Sequence, residues 1–391
     1  MPDRIKTLLI TSNGPATRRA VVADSVLHGV LQFDHSEYWK RFVPSPTLRT
    51  RLTSRYETLS YIQDWEEGFA ASPRLDIDRC NLLNVFEVAQ SKRHLREYEL
   101  IVVLHSAIGD NLRAVSRVRS MLQARRGRLL ALIGNEYVLM PEKISFLRSV
   151  GADFVGSQLP LLAAQWLYEE CRDTQVLPAP HALNARVYTR RNTGERPIDI
   201  GFIGDFYPWF IGDIERTQAI ELFRQRAGEF GLRSDFRRQR LAREDWVSFL
   251  NQTYGVIGGE SGTYYLERDD QSQRAVSAFL RANPSATFDD VFDRFFKTYP
   301  VTVSGKAISS RHFEPIGTGA CQILLEGDYN GILKADEHYI SLRKDHANLH
   351  DVVERFTDET YREEMVERTR DYVLTEHTHD VRVASLLEAI C

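Results

Sequence analysis

The chain reads as an α/β protein built from two tandem Rossmann-like, doubly wound domains that face a cleft. Three observations predict this. Short β-rich apolar runs alternate with longer segments of helical period, the pattern of parallel strands joined by crossover helices. The alternation stops at a polar stretch near residue 190 and restarts after it. A chain of 391 residues also holds about two or three domains at roughly 100 to 200 residues each. With 43% hydrophobic and 27% charged residues, it has the composition of an ordinary globular protein and not of a disordered one.

In the first domain, expected over residues 1–190, the strands are Leu8–Thr11, Leu100–Leu104, Arg128–Ile133, Asp153–Gly156 and Gln175–Leu177. The run Thr7–Ile10 is too short for a signal peptide and reads as the first strand. Helices are expected at Asn111–Ala124, with Leu112, Val115, Val118, Met121 and Leu122 apolar, and at Pro160–Cys171, with Leu161, Ala164, Trp166 and Leu167 apolar. Residues 35–80 are rich in Arg, Ser, Thr and aromatics without a period, and read as an insertion or long loop. Between Ala182 and Pro197 the sequence turns polar, with Gly and Pro as punctuation, and a domain boundary fits there. The second domain, expected over 191–370, starts with Ile198–Gly204 and continues through Gly255–Gly259, Cys321–Glu326 and Tyr339–Leu342. The amphipathic tail Thr357–Cys391 reads as two helices, the segment 371–391 closing the chain against the first domain.

Charge and cysteines narrow the function classes. Fifty-four acidic against 50 basic side chains give a net charge of -4, which argues against nucleic acid as a partner. No run of apolar residues is long enough to span a bilayer, so a cytoplasmic protein is expected. The basic runs Arg125-Arg126-Gly-Arg128 and Arg237-Arg238-Gln-Arg240 are either solvated faces or contacts for a peripheral stay at the inner membrane face. Cys80, Cys171, Cys321 and Cys391 are scattered, which fits neither a disulfide framework nor a zinc site. Asp76-Ile-Asp78, His346/His350 and His377/His379 are read as surface features, since chance supplies such short patterns and no third ligand accompanies them.

The densest chemistry lies in Lys306–Ala320, which gathers Lys306, Arg311, His312 and Glu314 ahead of Gly317 and Gly319 and an apolar strand. A helix over 307–317 would aim free N–H groups and a positive dipole at a diphosphate, with Lys306 and Arg311 adding charge and Glu314 accepting from a ribose diol. A surface helix with an ordinary Gly cap fits the same spacing. Gly14 and Arg18, just after the first strand, offer further contacts to donor phosphates, and Gly204 ends the first strand of the second domain. His105, Asp110 and Glu136 each follow a strand and can serve as an acceptor-activating base. Glu260, within the Gly-rich Gly258-Gly-Glu-Ser-Gly262, is a carboxylate able to enter the cleft, or a solvated turn residue.

These residues carry a resemblance. Arg311-x-Phe313-Glu314 leading to Gly319-Ala320 and a strand, followed by Asp328–Leu333 and His338-Tyr-Ile, resembles the nucleotide-sugar half of GT-B glycosyltransferases, especially the CgeB-like group. Pro178–Asn184 looks like that family's inter-domain segment, Ile198–Gly204 like the first strand and loop of its second domain, and Glu376-His377-Thr378 like the start of its final helix. The likeness covers roughly residues 95 to 391. It implies transfer of a sugar from a nucleoside-diphosphate donor to a glycan, lipid-linked or other glycoconjugate acceptor, with no cofactor and no catalytic metal. Bacterial surface polysaccharide assembly is the implied setting. Glu314 matches the second of the family's paired glutamates, which holds the donor ribose, while Lys306 stands where the first would fall. Two other readings share the scaffold: a nucleotide-sugar epimerase or hydrolase, and a catalytically silent binding protein.

Overall fold

The computed structural model describes residues 4–12, 60–191, 194–300 and 303–391. Two parallel sheets form its frame. The first runs in the order β2-β1-β3-β4-β5-β6, with β1 at Ile5–Thr11, β2 at Leu75–Asn81, β3 at Leu100–Val103, β4 at Arg128–Leu132, β5 at Phe154–Ser157 and β6 at Gln175–Pro178. The second runs β11-β10-β9-β7-β8, with β7 at Ile198–Ile203, β8 at Ser234–Arg237, β9 at Thr253–Gly258, β10 at Cys321–Leu325 and β11 at Ile340–Leu342. In each sheet the order reverses beside the domain's first strand, between β1 and β3 and between β7 and β9, which is where doubly wound folds open a crevice.

Side-chain alternation explains why these runs are strands with both faces covered. Leu8, Ile10, Ile101, Val103, Leu129 and Ala131 bury on one face of the first sheet. They meet helices α3 (Arg113–Arg117), α4 (Arg119–Gln123), α5 (Met140–Val150) and α6 (Leu161–Leu167) through Val115, Leu122, Ile144 and Leu167. Leu9, Leu100, Val102, Leu130 and Leu132 bury on the other face, against Trp65 and Phe69 of α1 (Ser60–Ala70) and against Val383, Leu386, Leu387 and Ile390 of the final helix, α14 (His379–Ile390). The chain therefore ends on its first domain. In the second sheet Ile200, Ile323, Leu325 and Ile340 pack beneath α7 (Glu215–Arg226), α12 (Leu349–Thr357) and α13 (Glu359–Glu376). Ile203, Val256 and Leu324 pack beneath α8 (Arg243–Asn251) and α11 (Ser310–Thr318).

Sequence and structure part at several elements. Strands β2 and β8 are edges; β2 buries only Leu75 and Cys80 and β8 buries nothing fully, so neither carries an apolar run. Helices α1 and α2 (Val85–Arg93) are likewise absent from the sequence reading, and the helix expected at Asn111–Ala124 breaks at Val118 into α3 and α4. The tail Thr357–Cys391 holds the two expected helices, α13 and α14, with α12 ending where the tail begins. An arm between β9 and β10 carries α9 (Gln271–Ala282) and α10 (Phe288–Phe295) around a small core of Val276, Val291 and Phe296.

Candidate functional site

The carboxyl ends of both sheets open onto one cleft of about 670 Å³, within the roughly 300–1,000 Å³ usual for ligand sites. The first domain contributes Tyr61, Asp110, Asn135, Tyr137 and Gln158; the second contributes Asp205, Tyr207, Arg216, Arg240, Trp246, Arg311 and Glu314.

On the second-domain wall two arginines stand together. Arg311, in the first turn of α11, donates from Nη1 to the Ile203 carbonyl at 2.8 Å and lies 5.3 Å from the Trp246 ring centroid. Arg216, in the first turn of α7, is buried, donates from Nη2 to the Asp205 carbonyl at 2.9 Å and stacks 3.7 Å over Tyr207. Among the described residues neither guanidinium has a carboxylate within ion-pair distance, unlike Arg233, Arg240, Arg243, Arg343 and Arg355. Burial and then the nearby Arg216 charge push the Arg311 pKa down, while Glu314 pulls it up. Two cations anchored on carbonyls and lacking carboxylates form a socket for a dianion.

Gly204 makes this socket possible. A Cβ there would lie 2.7 Å from Arg311 Nη1, so only glycine lets the guanidinium settle onto the end of β7. Glu314 is buried on the same wall, accepting from Trp246 Nε1 at 2.7 Å and from Ser60 Oγ at 3.1 Å. These partners leave lone pairs on a cleft-lining carboxylate, the acceptor that a diol requires.

Other expected donor contacts lie elsewhere. Lys306 turns away from the cleft: its ammonium is 2.6 Å from Asp213 Oδ2 and 4.5 Å from the Tyr264 ring, and both ends of the ion pair are buried. Its charge is neutralised inside the second domain. His312 closes the capping box of α11, with Nδ1 accepting from Ser309 N–H at 2.9 Å and Nε2 facing the Gly259 carbonyl at 3.2 Å, and burial pushes its pKa down to about 4. Gly319 ends α11 at φ +71°, the left-handed cap that favours glycine, at the helix end remote from the arginines. Glu260 accepts from Tyr329 N–H at 2.8 Å and holds the turn there instead of lining the cleft. Gly14 and Arg18 lie outside the described residues.

The three acceptor-side candidates separate sharply. His105 is buried behind the cleft among Tyr61, Trp65 and His181, its two ring nitrogens without partners among the described residues, and burial drives its pKa well below the usual value. Glu136 reaches the cleft but is fully engaged, accepting from Ser157 Oγ and Tyr168 OH at 2.7 Å and from Gln158 N–H at 2.9 Å. Asp110 is exposed in the cleft, with one oxygen held by Asn135 Nδ2 and the other without a hydrogen-bond partner among the described residues.

Sequence reasoning missed Arg216, Tyr207, Trp246 and Asn135. Arg216 reads as one more charge on a polar helix, and only its burial beside β7 distinguishes it. Also missed was an inter-domain clasp. Arg243 of α8 pairs with Asp64 and, at 2.7 Å, with Glu67 of α1, while Asn184 Nδ2 donates to the same two carboxylates at 2.9 and 2.6 Å. Among the described residues no cluster of three or more His, Cys, Asp or Glu could hold a metal ion, and no helix is long and apolar enough to cross a membrane.

Comparison with known proteins agrees with this architecture. Residues 262–388 match the family model described as glycosyl transferase-like. No curated protein matches the chain in sequence. Among solved structures, an alpha-glucosyltransferase in complex with UDP-glucose and abasic-site DNA is similar at TM-score 0.58 and 8% identity, covering 99% of this chain and 100% of that one. Sucrose-phosphate synthase from Thermosynechococcus elongatus is similar at TM-score 0.51 and 11% identity, covering 99% and 98%. A DNA-modifying beta-glucosyltransferase, solved with and without uridine diphosphoglucose, is similar at TM-score 0.50 and 11% identity, covering 99% of each chain. The chain has the two-domain GT-B fold of these structures, and residues 262–388 are similar to the glycosyl transferase-like family. The matches name the wider family and not the CgeB-like group. They also correct one expectation: with DNA-modifying enzymes sharing the fold, a net charge of -4 does not exclude nucleic acid as an acceptor.

Proposed function

We propose that the chain is a metal-independent glycosyltransferase that moves a sugar from a nucleoside-diphosphate sugar to an acceptor hydroxyl. The observation that carries this is the Arg216–Arg311 pair, two cations beyond the end of β7 with no carboxylate in ion-pair range among the described residues, and the Glu314 carboxylate on the same wall. As the bond from the anomeric carbon to the diphosphate breaks, negative charge grows on the leaving oxygen. Two pre-positioned guanidinium forks stabilise that charge without reorganising, which is the electrostatic part of catalysis. Glu314 takes the ribose hydroxyls, and Asp110, across the cleft, takes the proton of the acceptor hydroxyl as the new glycosidic bond forms.

UDP-glucose in similar structures makes UDP-sugars the first donors to test. Folded protein is titrated with UDP, ADP, GDP and UDP-sugars, with and without EDTA. The expected result is a selective, EDTA-insensitive stabilisation by one nucleoside diphosphate, since a ligand bound to the native state raises its stability. No response to any nucleotide refutes the proposal. Loss of response in EDTA refutes the metal-independent part. Transfer is then assayed on glycans, lipid-linked glycans and duplex DNA as separate acceptors. Donor turnover that no acceptor accelerates favours the hydrolase reading.

A further inference from the structure

Helix α5 starts at Leu139, a residue at φ +57° that provides no side-chain cap. Its cap comes from the other domain. Asp270, in the arm between β9 and β10, accepts the Met140 N–H at 3.1 Å on Oδ2 and 3.2 Å on Oδ1. The carboxylate is buried at this seam, and Arg274–Glu142 at 2.9 Å and Arg268–Glu169 at 2.6 Å flank it.

The first turn of α5 also carries Lys143, whose side chain is fully buried. Its ammonium donates to the Gly134 carbonyl at 2.6 Å and the Asn135 carbonyl at 2.9 Å, with no carboxylate in ion-pair range among the described residues. A buried cation satisfied only by these carbonyls ties the loop after β4 to the position of α5. Asn135 stands at φ +48°, and its amide donates to Asp110 Oδ1. A continuous set of contacts thus runs from Asp270 in the donor domain to Asp110 in the acceptor domain. The arm itself is rooted in the donor wall, where Ser261 and Ala307 pair through backbone bonds of 2.9 and 3.0 Å and Ser261 Oγ meets Tyr207 OH at 2.6 Å.

Resting on the transferase reading, we infer that Asp270 is a positioning residue for Asp110: the donor domain caps α5, α5 sets Lys143 beneath the acceptor loop, and the loop presents Asn135 to the base. The acceptor half of the site is complete only while the arm is seated.

The test uses the full chain with Asp270→Ala, Asp270→Asn and Asn135→Gly. A lost cap is worth about 1 kcal/mol, so amide exchange in peptides covering 134–143 of Asp270→Ala should speed up about fivefold, with UDP affinity changed less than about twofold. Asp270→Asn keeps a side-chain oxygen and should restore the protection. Release of UDP from UDP-glucose into water, where water takes the acceptor's place, should fall in Asp270→Ala through kcat with KM unchanged, and recover in Asp270→Asn. Asn135→Gly keeps the left-handed backbone and should lower kcat without changing exchange in α5. Unchanged exchange in folded Asp270→Ala, or faster exchange with wild-type kcat, overturns the inference. A wild-type chain that binds no nucleotide refutes the transferase reading instead, and exchange still decides whether Asp270 orders the loop.

Discussion

Gly204→Ala tests the donor site through a single methyl group. An added Cβ would lie 2.7 Å from Arg311 Nη1, 3.0 Å from Nη2 and 3.1 Å from Cζ, closer than such contacts tolerate. The atoms it meets are the far end of a flexible side chain, so the fold survives while the guanidinium leaves its place. Moving it breaks the 2.8 Å bond to the Ile203 carbonyl and separates it from Arg216. One neutral-acceptor hydrogen bond is worth about 1 kcal/mol of stability, which should move the urea midpoint only slightly. A charge-assisted bond to a phosphate is worth about 1.5–3 kcal/mol, so UDP affinity should fall roughly 10- to 150-fold. Calorimetric titration with UDP reads the affinity, and urea unfolding of the same preparation reads stability. Undiminished UDP affinity in Gly204→Ala would remove Arg311 from the donor site. A fall in stability as large as the fall in affinity would show that the guanidinium serves the fold and not the ligand.

Three further outcomes follow from the same geometry. Lys306→Met leaves Asp213 buried and unpaired and should cost about 3–5 kcal/mol in urea unfolding; because Lys306 faces away from the cleft, UDP affinity should hold within about twofold, and a large loss would return Lys306 to the donor site. Arg243→Ala should cost about 3–5 kcal/mol by stranding Asp64, whose carboxyl burial already holds at about 7. A raised carboxyl is most easily accommodated when protonated, so the loss should be larger at pH 8 than at pH 6, and equal losses at both would contradict the clasp. Burial lowers His181 and His312 from 6.5 to about 3 and about 4, so the folded state binds fewer protons than the unfolded one below pH 6.5. Their stability contribution is complete above pH 6.5 and declines as the pH falls, by about 3 kcal/mol per pH unit for the pair at roughly 1.36 kcal/mol each. Urea midpoints measured from pH 7 to 5 that fail to decline would refute it, and His312→Asn should flatten the slope.

Particular residues show what was legible in the sequence and why. Central strands such as Leu100–Val103 and Cys321–Leu325 are buried on both faces and had to be apolar throughout, so they stood out. Edge strands β2 and β8 are largely exposed and carry Asp76, Asp78 and Arg237, so β2 falls mostly in the stretch read as a loop and the Arg237 run reads as a basic surface feature, not a strand. Glu314 and Arg311 both line the cleft, because three residues apart on one helix they stand on the same face. Lys306 and His312 share that segment but point elsewhere, since neighbours on a helix or turn face different directions and proximity in sequence is not proximity to the cleft.

The sequence by itself determined the α/β class, the two runs of strand-and-helix alternation and the stretch that forms α11, because periodicity and punctuation are properties of a local window of chain. Tertiary structure alone decided which charges are free. Arg216, Arg311, Lys306 and Arg243 are equal cations when read along the chain, yet Lys306 meets Asp213, Arg243 meets Asp64 and Glu67, and among the described residues the other two meet carbonyls and aromatic rings but no carboxylate. The partner that cancels a charge lies 93 residues from Lys306 and 179 from Arg243, and such pairings exist only once the chain has folded.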